Sequence, residues 1–132
     1  IQGWSIGHAA ATGTMWAVCG TRDVGFANGT TNYWTLLTSQ TGTTETTQTS
    51  PWPLTNSATA TNFFVYIGTA GGAGSNTVFT MRENLAGSTM TATAAGAVSG
   101  IITGSGTLTL TRAETLSLEI VQSGGVASGT VG

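Results

Sequence analysis

From Phe63 onward the chain alternates apolar and polar side chains with a period of two, the pattern of strands that bury one face. Leu116, Leu118 and Ile120 form an expected core face, with Ser117, Glu119 and Gln122 read as the polar side and Val121 as an apolar exception to it. In the same way Phe79 and Met81 stand opposite Val78, Thr80 and Arg82, and Leu108 and Leu110 stand opposite Thr107, Thr109 and Thr111. The pattern predicts strands near residues 3–8, 14–20, 33–38, 44–50, 61–68, 76–84, 88–94, 98–103, 107–112 and 115–122. No window repeats apolar residues at i, i+3, i+4 and i+7 between caps, so no helix longer than a turn or two is expected. Short strands without helical crossovers predict one all-β domain over residues 1–132, an antiparallel β-sandwich.

Turn chemistry separates the strands. Asn28-Gly29 lies between Phe26 and Tyr33, and both residue types tolerate the positive φ of a tight turn. Gly71-Gly72-Ala73-Gly74-Ser75 is a longer loop between two strong strands. The 28 threonines suit a pleated, half-exposed surface, because a β-branched side chain is stiff in a helix and packs well on a sheet.

Composition narrows the function classes. Charged residues make up 6% of the chain, against about 25% in an ordinary protein, and there is no lysine. The cations are Arg22, Arg82 and Arg112, and the anions Asp23, Glu45, Glu83, Glu114 and Glu119. A formal net charge of -2 offers no basic stripe for phosphates, so no nucleic-acid partner is expected. With 39% hydrophobic residues, four Trp and four Phe, the chain should fold. Its longest apolar run, Phe63 to Ile67, is far short of the roughly 20 residues of a spanning helix, and no membrane partner is expected. The chain begins at Ile1 with no basic-then-apolar leader, which suggests a processed product or a fragment.

Candidate chemistry is sparse. Cys19 is the only cysteine and reads as a small buried apolar residue rather than a reactive thiol. One His, one Cys and scattered carboxylates lack metal-ligand spacing, and no cofactor motif is present. His8, Asp23 and a serine could in principle make a triad, but no Gly-x-Ser-x-Gly elbow supports one. A glycosidase pair would have to come from the five acidic residues, of which Glu83 and Glu119 read as outward, solvated strand positions. The chain is therefore expected not to be an enzyme.

Two surfaces stand out as binding candidates. The face of Val78, Thr80 and Arg82 is less apolar than a core and more apolar than an ordinary solvent face, which suits a subunit interface. Arg82 on that face should be either solvated or paired across a subunit boundary. Trp4, Trp16, Trp34 and Trp52 suit a core or interface, or an exposed ring on which a sugar stacks. Trp52, between Pro51 and Pro53 on an expected loop, is the candidate glycan contact. Asn28-Gly29-Thr30 fits the N-glycosylation acceptor pattern, although its turn role suffices.

Four segments carry a family resemblance. They are Pro51-Trp52-Pro53 before the first strong strand, Phe63 to Gly74 with its Gly-Thr-Ala turn, Phe79-Thr80-Met81-Arg82-Glu83-Asn84, and Leu116 to Gly124. In this order they resemble a jelly-roll module of tailed-bacteriophage structural proteins, related to the C1q and tumour-necrosis-factor sandwiches. The similarity covers about residues 51–128. Two turns depart from the family pattern: Asn84 is followed by Leu85 where Asn-Gly is usual, and Glu114-Thr115 stands where Gly-Asp is usual. Neither Leu nor Glu enters positive φ without cost, so these turns are expected to differ in type. The resemblance implies a jelly roll, a homotrimer, capsid or tail proteins as partners, and a place on the virion surface as a decoration or fibre subunit. Its alternative implication is a module that reads host surface glycans.

Overall fold

The computed structural model describes residues 2–10, 13–21, 24–26, 29, 31–35, 52–53, 57–124 and 129–131. The strands are β1 (Gln2–Ala10), β2 (Gly13–Thr21), β3 (Val24–Phe26), β4 (Thr31–Thr35), β5 (Trp52–Pro53) and β6 (Ala58–Thr69). They continue with β7 (Asn76–Glu83), β8 (Ala86–Ala95), β9 (Gly100–Thr103), β10 (Leu108–Leu110), β11 (Thr115–Ser123) and β12 (Gly129–Val131). No helix occurs among the described residues, and every strand pairing is antiparallel. The first sheet runs β2-β1-β6-β12-β3, with β9 and β10 also paired to β6. The second runs β4-β11-β7-β8, with β5 paired to β11. The fold is thus an all-β antiparallel sandwich.

The sheets meet through the faces that alternation marked. Phe63, Val65 and Ile67 of β6 pack with Phe79 and Met81 of β7, Met90, Ala92 and Ala94 of β8, and Leu116, Leu118 and Ile120 of β11. Leu108 and Leu110 close this core, while Thr107, Thr109 and Thr111 are exposed. Phe79 stands between Ile120 and Ala92 in the register, a large ring beside a small neighbour, as close packing requires. Burying each large side chain contributes about 1.5–3 kcal/mol.

Two irregularities adjust this simple alternation. In β6 the register against β1 slips between Gly7 and His8, so Thr61 becomes an extra residue. Ala60 and Phe63 therefore both face the core while Thr61 and Asn62 are exposed. In β8 the pairing jumps from Thr80–Thr91 to Arg82–Gly87. Ser88 fills the gap in the ladder: its Oγ donates to the Met81 carbonyl (2.8 Å) and accepts from the Met90 N–H (3.1 Å).

The segment between β9 and β10 fastens one sheet to the other. Gly104 N–H donates to the Phe63 carbonyl of the first sheet at 2.7 Å, and Ser105 and Thr91 of the second exchange backbone bonds of 2.8 and 2.9 Å. Gly106 has φ 104°, and a Cβ there would lie 2.3 Å from the Thr89 carbonyl oxygen. Only glycine fits this approach.

β3, β5 and β12, each of two or three residues, fell outside the predicted strands. The expected strand at 44–50 lies outside the described residues. One face assignment on β11 is corrected, and one outward position is buried. Gln122 is buried on the core face, as its even spacing from Leu118 and Ile120 requires, and Ser117 is fully buried although it faces outward.

Leu118→Ala should cost about 2–5 kcal/mol, since it opens a cavity in the core that Met81 and Ile120 also fill. Thr109→Ala, at an exposed site, should stay within about 0.5 kcal/mol. Denaturant melts that rank the two the other way would contradict the core described here.

Candidate functional site

The outer face of the second sheet brings Val78, Thr80 and Arg82 together as expected. In the register Val78 lies between Thr93 and Val121, Thr80 between Thr91 and Glu119, and Arg82 opposite Ser117. All three β7 side chains are half-buried. Within the chain Arg82 is half-buried and engaged by its own neighbours. Its guanidinium carbon lies 4.3 Å from the centre of the Tyr33 ring on β4, and its Nε lies 3.7 Å from Glu119 Oε2 on β11. Because β11 separates β7 from β4, the Arg82 side chain must run across β11 to reach Tyr33. Ser117, opposite Arg82 in the register, is fully buried at this outward position. The same guanidinium donates to the Leu85 carbonyl in the β7–β8 turn.

That turn holds positive φ at both central residues, 48° at Asn84 and 72° at Leu85, the backbone that joins two strands by a two-residue hairpin. The expected change of turn type does not occur here: Leu85 adopts the geometry usually filled by glycine. Asn84 is tied on both sides to the start of β11, its N–H to the Thr115 carbonyl (2.9 Å) and its Oδ1 to the Thr115 N–H (3.1 Å).

Glu83 and Glu114 meet beside this turn, a pair that sequence distance hid. Glu114 accepts from the Thr111 N–H, closing a turn in which Ala113 has φ 76°. That backbone hydrogen bond holds the Glu114 carboxyl below the usual carboxylate range. Burial first, then the hydrogen bond and charge of Glu114, push Glu83 up from its ordinary value of 4.5. Of this carboxyl pair Glu83 is thus the member whose pKa is raised, and it is half-buried rather than the solvated strand charge expected of it.

At the opposite end, Ser75, Thr77 and Gln122 form a buried polar group. Ser75 Oγ donates to the Gly72 carbonyl (2.8 Å), and Gly96 N–H donates to the Ser75 carbonyl (2.7 Å), which closes the predicted loop at 71–75. A Cβ on Gly71 would lie 2.9 Å from Gln122 Nε2, so the glutamine fits beneath this loop because residue 71 is glycine. Gly29, at φ 73°, bears out the predicted turn and donates to the Gln122 carbonyl at 2.9 Å.

Trp52 lies in β5, its backbone paired with Leu116, rather than in the loop expected for it. Its side chain, like those of His8 and Cys19, lies outside the described residues, as do Asp23 and Glu45 entirely. Among the described residues no three His, Cys, Asp or Glu gather as they would to hold a metal ion. No helix there is long and apolar enough to cross a membrane. No protein-family model matches the chain, and no curated protein or solved structure matches it either. The jelly-roll resemblance rests on the residues that carry it.

Arg82→Ala should lower stability by about 1–2 kcal/mol, the sum of a ring contact and a partly buried ion pair. An unchanged melt would show that the strap carries no load.

The carboxyl pair gives a pH signature. With its folded pKa raised, Glu83 opposes folding when ionised, and the penalty is relieved as pH falls through that pKa. Glu114, with its pKa lowered, stabilises above its ordinary value and loses that contribution as pH falls through its folded pKa. Glu83→Gln keeps a neutral donor at every pH. The variant should melt above wild type near neutral pH, with the gap closing toward about pH 4 as wild-type Glu83 takes up its proton. A gap that widens on acidification would contradict the pairing.

Proposed function

We propose that this chain is a non-enzymatic structural protein of a virus-like particle, a jelly-roll subunit of an outer decoration or a fibre. It self-associates, as a homotrimer, and packs on capsid or tail proteins at the virion surface. One observation carries the reading. The described charged side chains that touch one another serve the fold, strapping a sheet or closing a turn, while large apolar side chains remain at the surface at Leu85, Val98 and Ile101. A sandwich whose touching charges are engaged within the chain, with a few large apolar side chains left outward, is suited to being packed against. Thr-rich, Lys-free strands support the same reading, since they lose little side-chain entropy on association. The quoted phage-like segments favour a virion as the setting.

Size-exclusion chromatography with light scattering tests this against the 13.2 kDa chain mass. The expected result is a multiple of that mass at micromolar concentration. A stable monomer with no affinity for any capsid or tail would overturn the proposal. Binding to a bacterial glycan array would instead favour the surface-glycan alternative.

A further inference from the structure

The β7–β8 turn is held in a backbone that one of its two residues does not favour. Asn84 and Leu85 have φ 48° and 72°, and asparagine enters this region far more readily than leucine does. Asn84 is also anchored directly, by its two bonds to Thr115. At Leu85 the side chain is 50% exposed and gains little from burial, while the carbonyl accepts from the Arg82 guanidinium. A strained residue persists where its surroundings hold it, and here Arg82 is the group that does so.

Arg82 in turn is placed by strands outside the hairpin. Its guanidinium faces the Tyr33 ring of β4, on the far side of β11, and its Nε approaches Glu119 of β11. This engaged position is opposed as well as favoured. At 3.7 Å the Glu119 carboxylate is beyond hydrogen-bond length from Nε. Both Arg82 Nε and Ser117 Oγ are buried with no hydrogen-bond partner among the described residues. Unpaired buried polar atoms are costly, and water would satisfy them once the side chain lifted. The ring contact, the ion pair and the Leu85 bond therefore favour engagement, whereas the two unpaired atoms and the left-handed leucine favour release. Opposed terms of this kind make a two-state element rather than a fixed brace.

We propose that Arg82 and the β7–β8 turn form a conformational latch. Engaged, the guanidinium lies over Tyr33 and fixes the Leu85 carbonyl, and with it the left-handed backbone. Released, it swings into solvent and the peptide between Asn84 and Leu85 rotates. The turn then passes from positive φ at both central residues to positive φ at the first alone, and the Leu85 side chain takes a new direction. Asn84 stays anchored on Thr115 in both states, so the strand pairing survives release. The contact at Tyr33 thereby sets, from across β11, how the exposed apolar side chain at the hairpin tip is presented. The latch works within one copy and does not depend on association.

NMR of wild type, Arg82→Ala, Tyr33→Leu and Tyr33→Phe reads the latch at Leu85. A residue at positive φ gives a strong cross-peak between its own amide and α protons, because the two lie close together. Wild type should show it at Leu85, and Tyr33→Phe, which keeps the ring, should retain it. Arg82→Ala and Tyr33→Leu should weaken it, while the core amides of Phe79 and Ile120 keep their native shifts. Thermal melts give a second reading. Leu85→Gly removes the strain and should raise the melting temperature of wild type. In the Arg82→Ala background the same substitution should raise it by about half as much or less, since the turn there has already relaxed. A Leu85 cross-peak left unchanged by Arg82→Ala or by Tyr33→Leu, or an equal gain from glycine in both backgrounds, means that the hairpin holds itself and overturns the latch.

Discussion

Scarcity of charge is the constraint on which the rest of this molecule depends. Three arginines and five acidic residues are all the chain has, and those described, Arg82, Glu83, Arg112, Glu114 and Glu119, lie on the second sheet or in the turn leading into it. Arg82 does the most with its charge. It crosses β11, faces the Tyr33 ring, approaches Glu119 and holds the Leu85 carbonyl, so one side chain joins three strands and a turn. Glu83 and Glu114 then meet beside the ends of β7 and β11 at the same end of the sandwich. With charge spent there, the flank from β8 to β10 is left neutral, and backbone hydrogen bonds through Gly104 and Ser105 add to the side-chain packing between the sheets.

This division of labour links fold to assembly. One end, with its strained hairpin, presents Leu85, while the neutral flank presents Val98 and Ile101. Each feature alone is ordinary, since folded proteins expose much apolar surface. Together with a backbone that holds Leu85 at energetic cost, they are the features on which the proposed self-association rests.

Much of the fold was legible because the alternation of Leu116, Leu118 and Ile120, of Phe79 and Met81, and of Leu108 and Leu110 reports burial directly. The error at Gln122 came from weighting polarity over spacing: a period of two places it with Ile120, and a glycine loop makes room for its amide. The bulge at Thr61 was hidden because a bulge breaks the very period used to find strands. The candidate face was found, but its chemistry was not. Neither the reach of Arg82 over β11 nor the meeting of Glu83 with Glu114, thirty-one residues apart, has a local signal. The positive φ of Leu85 could not be read from a residue type that disfavours it.

The most direct test of this account is an image of the assembled protein at a resolution that traces individual chains. It should show copies of the chain packed on one another, with the Arg82 strap intact inside each copy. Copies joined instead through the Val78, Thr80 and Arg82 face, with Arg82 drawn away from Tyr33 and Glu119 to a neighbour, would contradict it.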